Sequence, residues 1–125
     1  NVLSDSSAPA TRRALRFAQA VLAGGHEIVR VFFYQEGVLT ASSNLVVAQD
    51  QVDIAQQWQA LIAEHKLDAV VCIAAALRRG VLDQVEAQRY QRDAVNLAEG
   101  CELSGLGQLH DGLQQADRSI SFGGE

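Results

Sequence analysis

The stretch that most restricts the fold is "LDAVVCI", residues 67 to 73. It is a nearly continuous apolar run of strand length, rich in β-branched residues. A strand with one wet face alternates apolar and polar residues, whereas one covered on both faces does not. The run therefore predicts a strand inside a parallel sheet that carries helices on both sides. A second run, "HEIVRVFFY" at 26 to 34, has the same character. Between and around these lie stretches with helical spacing. Ala14, Leu15, Ala18, Val21 and Leu22 fall on one face, and Gly24 and Gly25 end that helix. Ile54, Trp58, Leu61 and Ile62 form the stripe of a helix over 50 to 65. A helix is expected over about 82 to 92 and another in "GLGQLHDGLQQA". "CELSGLG" reads as a short strand or turn and "RSISF" as a last strand. "SDSSAPAT" reads as a loop into the first helix, with Ser6 or Ser7 as its cap. "QEGVLTASSN" reads as a loop or broken helix.

Strands alternating with helices give the fold class: α/β, a three-layer sandwich with a mostly parallel sheet and helices on both faces. At 125 residues, with no repeat, low-complexity tract or linker, residues 1–125 are expected to form a single domain. The chain starts at Asn1 and holds no methionine, so the first strand is expected to look truncated.

Charge narrows the function. The formal net charge is -5, so the broad basic face that phosphate binding needs is not expected, and direct nucleic-acid binding is not either. No apolar run has the length of a membrane helix, and no leader pattern is visible. The two cysteines, Cys72 and Cys101, are far apart, and His26, His65 and His110 are scattered. No metal pattern forms, no cofactor is expected, and the cytoplasm is the expected compartment.

Chemistry centres on "VVCIAAALRRG", residues 70 to 80. In parallel sheets, reactive groups gather at the carboxyl ends of strands, and Cys72 sits at such an end. A free cysteine in a strand is most often a small buried hydrophobe, and that reading stands beside the functional one. Against it, "AAALRR" has high helix propensity. A helical turn starting after Cys72 would aim N–H groups and a positive dipole end at the sulfur. Arg78 and Arg79 follow and would add positive potential. Each effect favours thiolate, the nucleophilic form. Tyr34 and Glu36, at the end of the neighbouring strand, could line the same rim.

Two thiol chemistries fit poorly, and a third stays open. Cys72-x5-Arg78 has the spacing of a cysteine-phosphatase loop, but the interior Ile73-Ala74-Ala75-Ala76-Leu77 has no glycine for the curl, and Arg79 stands at the hydroxyl position. A protease would need a histidine base, and none is near in sequence. Internal redox exchange would need Cys101 close by, which the sequence leaves open. A flavin role would need a glycine-bearing phosphate loop that "SDSSAPAT" lacks. Sulfur transfer between proteins needs one reactive thiol and no second acid–base residue, by the logic of disulfide exchange.

The segments "FAQAVLAGGHEIVRVFFYQEGV", "VVCIAAALRRGVLD" and "LSGLGQL", in this order, resemble the DsrE-type sulfur-relay family. The resemblance implies a sulfurtransferase with a persulfide on Cys72 and a hetero-oligomer with two related DsrE-like subunits. It also implies a TusA-type sulfur donor, a TusE-type acceptor, and 2-thiouridine at the tRNA wobble position as the end of the relay. Relatives in sulfur oxidation would run the same chemistry, and a non-catalytic assembly subunit is the further alternative. Cys101, before "LSGLG", is read as structural.

Overall fold

A computed structural model describes residues 1–124. Its centre is a three-stranded parallel sheet in the order β1 (Val31–Phe33), β2 (Ala69–Cys72), β3 (Cys101–Ser104). Around it run α1 (Pro9–Ala23), a 3-10 helix (Gln35–Ala41), α2 (Ile54–His65), α3 (Ile73–Arg78), α4 (Gln84–Arg89) and α5 (Gly107–Gln115). Val2 adds single parallel bridges to Phe33 on one side and Phe122 on the other, so the sheet continues past β1 by isolated pairs.

The α/β layering follows from alternation along the strands. Phe33 points to α2, its ring edge-on to Trp58 at 5.7 Å and 81°. Arg30 belongs to the opposite face and donates from Nη1 to the Gln108 carbonyl of α5 at 2.8 Å. Helices thus cover both faces. The steps from β1 to β2 and from β2 to β3 run in the same direction, and right-handed crossovers put their connecting helices on one side. α5 runs back on the other. α1 packs on α2 through Ala10, Ala14, Leu15 and Ala18, the buried stripe of a helix started by Pro9 at its first turn. α2 buries Ile54, Ala55, Trp58, Leu61 and Ile62, and its N-cap Asp53 accepts from the Gln56 N–H at 3.0 Å.

Several expected bounds shift. The first helix is capped by Ala8, with no side-chain bond, rather than by Ser6 or Ser7. Ser7 is engaged earlier, its N–H donating to Asp5 Oδ1 at 2.8 Å and its hydroxyl to the same oxygen. The run at 26 to 34 yields only Val31–Phe33 as strand, since its pairing starts at Ala69, the first residue of β2, and the Tyr34 N–H then turns to the Val2 carbonyl. The "RSISF" strand reduces to the bridge at Phe122. The expected helix at 82 to 92 spans Gln84–Arg89, begun by Asp83 accepting from the Glu86 N–H.

Candidate functional site

Cys72 is the last residue of β2 and the residue that caps α3. Its backbone is still extended (φ -60°, ψ 116°), and the next residue is helical. The sequence dictates this break. The β-branched Val70 and Val71 favour strand, and the alanines that follow favour helix. The thiol accepts no cap hydrogen bond from α3. It is 3% exposed, in one apolar cluster with Val38 and Ala41 of the 3-10 helix and Ala75 and Ala76 of α3. The sulfur of the single chain is covered.

Strand register places its neighbours. Cys72 pairs with Ser104 on β3. On β1, Phe33 pairs with Val71, so Tyr34 stands level with Cys72 on the other side. The Tyr34 ring is half-buried and meets Phe32 edge-on at 6.1 Å. Past Tyr34 the chain winds into the 3-10 helix, which packs on both β2 and α3. Gly37 permits this. A Cβ there would lie 2.0 Å from the Val2 carbonyl oxygen.

Glu36, on that helix, and Arg79, at the end of α3, come together. Arg79 Nη2 and Nε donate to Glu36 Oε1 at 2.8 and 3.1 Å, and Nη1 donates to the Ala75 carbonyl at 3.1 Å. The Glu36 hydrogen bond holds the guanidinium proton above its ordinary affinity. Burial opposes this, and the charges of Glu36 and of Cys72 add to it. Arg78 does not join this group. It is exposed and makes no ion pair among the described residues.

Cys101 pairs with Ala69, three positions from the level of Cys72, or about 10 Å along the strand. A disulfide needs Cα atoms closer than about 7 Å, so an internal pair is ruled out in this fold. Both thiols are free. Burial pushes the Cys101 thiol up to about 11. Among the described residues no three His, Cys, Asp or Glu side chains gather where they could hold a metal ion. No helix of the described residues is long and apolar enough to cross a membrane.

Two neighbours escaped the sequence reading. Ser104 needs the register, which no local pattern carries. Asn96 fixes the exit from α3: its Oδ1 accepts from the Leu82 N–H at 2.8 Å and its Nδ2 donates to the Gly80 carbonyl at 2.9 Å. An asparagine in a loop gives no sign of such distant partners. An open groove of about 600 Å³ lies at the other end of the strands, between α1, the start of β1 and α5. It contains no cysteine, and its one cation inside the sheet, Arg30, is saturated by Asp68, Asp111 and Gln108.

The DsrE/DsrF-like family matches residues 2–122. The chain is 62% identical over 117 residues to a protein named sulfurtransferase TusD homolog from Pseudomonas aeruginosa, covering 94% of this chain and 89% of that one. It is 51% identical over 113 residues to a TusD homolog from Aliivibrio fischeri, covering 90% and 87%. It is 47% identical over 109 residues to the sulfurtransferase TusD of Yersinia pestis, covering 87% and 83%.

Proposed function

The chain belongs to the DsrE/DsrF-like family, and from that premise we propose that it is a sulfurtransferase subunit carrying a persulfide on Cys72. The observation that carries this is the position of Cys72, at the carboxyl end of the central strand and the start of α3. The names of its relatives, sulfurtransferase TusD and its homologs, support the sulfurtransferase part of this reading.

The chemistry needs nothing else. The Cys72 thiolate attacks the outer sulfur of a donor's R–S–SH. A bond forms from Cys72 Sγ to that sulfur, the donor's S–S bond breaks, and the donor leaves as R–S⁻. The product is Cys72–S–SH, which ionises to Cys72–S–S⁻ with its proton passing to solvent or to the departing thiolate. An acceptor thiolate then attacks the outer sulfur, and Cys72 returns as thiolate. Each step is an exchange, so no outside oxidant or reductant enters. Arg79 stabilises the anion at Cys72 in both steps.

The donor in this reading is a TusA-type carrier and the acceptor a TusE-type protein. Two related subunits complete a hetero-oligomer, and the relay ends in 2-thiouridine at the tRNA wobble position. The net charge of -5 fits a chain that hands sulfur to proteins and leaves the tRNA to others. The test is direct. Incubation with a cysteine desulfurase, cysteine and a TusA-type carrier adds one sulfur to the intact mass, and Cys72→Ser removes that gain. A label on Cys101, or none, overturns the assignment.

A further inference from the structure

The groove at the amino ends of the strands is built like a strand position. Asn1, Val2 and Leu3 hydrogen-bond to backbone on both sides. On one side the Val2 N–H donates to the Phe32 carbonyl at 2.8 Å, and the Tyr34 N–H donates to the Val2 carbonyl at 3.0 Å. On the other, the Leu3 N–H donates to the Phe122 carbonyl and the Phe122 N–H to the Asn1 carbonyl, both at 2.9 Å. Both bridges at Val2 are parallel. Residues 1–3 are therefore an interior piece of sheet, and the segments flanking them lie two strand spacings apart, about 9.5 Å. Those two segments reach back beyond Asn1, as residues 28–31 and 118–120, and both line the groove. Parallel backbones that far apart admit one extended chain between them. Helices cover both faces of this slot, α1 with Ala14, Phe17 and Ala18, and α5 with Leu109 and Leu113. Large apolar side chains lie open along it: Phe17 is 42% exposed, Leu113 47% and Ile120 41%. Such a contiguous apolar lining marks a place where another chain segment is buried.

We propose that this slot holds one further strand, formed by residues of the same chain that lead into Asn1, parallel to β1 and apolar on both faces. Its hydrogen bonds follow from the groups already aimed at the slot. The Val31 N–H donates toward β2, to the Asp68 carbonyl, so by alternation the Phe32 N–H and the Arg30 carbonyl face the other way, into the slot. The Asn1 amine donates to the Ile120 carbonyl at 2.7 Å, so the next groups back on that side are the Ile120 N–H and the Arg118 carbonyl. The residue directly ahead of Asn1 donates to the Arg30 carbonyl and accepts from the Phe32 N–H. It stands level with Val31, on the face of α1 and α2. The residue before it donates to the Arg118 carbonyl and accepts from the Ile120 N–H, on the face of α5. With helices over both faces, the segment is a continuous apolar run like Ala69–Cys72 rather than an alternating one. It joins residues 118–122 to β1, β2 and β3 in one continuous parallel sheet. Asn1 already sits in register at the mouth of the slot, so a strand linked to it enters without the entropy cost of association. A separate peptide would meet the Asn1 amine end-on. This strand is independent of the chemistry at Cys72.

The protein is purified from its own cells, and its amino-terminal peptide is read by mass spectrometry. A run of mostly apolar residues ahead of Asn1 is expected, and a mature protein that begins at Asn1 overturns the strand. Amide hydrogen exchange, resolved by ¹⁵N NMR, is then compared between that protein and the chain cut to begin at Asn1. The Phe32 and Ile120 N–H groups should exchange about tenfold more slowly, or slower still, in the longer protein, because the added ladder closes over them. The Val31 N–H, bound to the Asp68 carbonyl in either form, is the internal reference. Equal rates in the two proteins relative to Val31 overturn the strand. Protection that appears only when a second protein is added overturns the assignment to the same chain. Where the shortened chain does not fold, the longer one decides. Replacing the residue directly ahead of Asn1 by Asp puts a charge between helix and sheet, and the urea midpoint should fall while exchange at Phe32 and Ile120 speeds up. A midpoint and rates equal to the parent's overturn the strand.

Discussion

Cys72 and Cys101 are the same chemical group on adjacent strands, separated by the register that sets Cys101 beside Ala69 and Cys72 beside Ser104. Burial is what pushes the Cys101 thiol up, to about 11. Two outcomes follow. At pH 8, iodoacetamide should leave Cys101 unmodified in the folded protein, and Cys101→Ser should load sulfur on Cys72 as the parent does; peptide mass spectrometry reads both. Stability carries the same signature. Folding raises this thiol above its ordinary value, so the folded chain holds the proton more tightly than the unfolded one. That contribution is whole below about pH 9 and is lost as pH rises toward 11. Urea unfolding at pH 8 and pH 10.5 should give a smaller drop for Cys101→Val than for the parent. Trp58 is a different case. Its Nε1 is buried without a hydrogen-bond partner, so Trp58→Phe gives up packing and area but no hydrogen bond. The loss should be about 1–3 kcal/mol, below the upper range for emptying such a site, measured by the same unfolding curve.

At the level of elements, the 3-10 helix after β1 is held by close approach and by one asparagine further along. Gly37 lies under the backbone of Val2, where a methyl group would meet the Val2 carbonyl at 2.0 Å. Gly37→Ala should push Val2 off its bridge to Phe33 and cost about 1–3 kcal/mol as overpacking does, with a fall in the urea midpoint as the readout. Asn96 ties the turn after α3 to the segment before β3, and its backbone carbonyl also accepts from the Ser43 N–H at 2.7 Å. Asn96→Ala leaves the Leu82 N–H and the Gly80 carbonyl without their partner. It should cost about 1–3 kcal/mol, and the alkylation rate of Cys72 should rise because the exit of α3 is freed. Local signals decided which segments are helices. Asp53 and Asp83 cap α2 and α4, and Pro9 starts α1. They did not decide strand lengths. β1 begins at Val31 because β2 begins at Ala69, 38 positions away, and ends at Phe33 because the Tyr34 N–H turns to the Val2 carbonyl.

For the whole molecule, one apolar cluster joins both layers, from Leu15 and Ala18 of α1 through Phe33 and Trp58 to Val70, Val71 and Cys72. Trp58 is the chain's one tryptophan and is 2% exposed at the centre of that cluster. Its fluorescence should shift to the red in a single step that coincides with the loss of far-UV circular dichroism, as for a cooperative domain. The sequence by itself determined the alternation of strands and helices, the parallel sheet, and the break at Cys72, because apolar period, propensity and capping are properties of neighbours along the chain. Only the tertiary structure decided that the Cys72 sulfur is covered, that Tyr34 and Ser104 flank it, and that Arg79 rather than Arg78 turns toward Glu36. Each of these depends on which strands lie side by side and at what register. That is fixed by long-range packing, and no local stretch of residues encodes it alone.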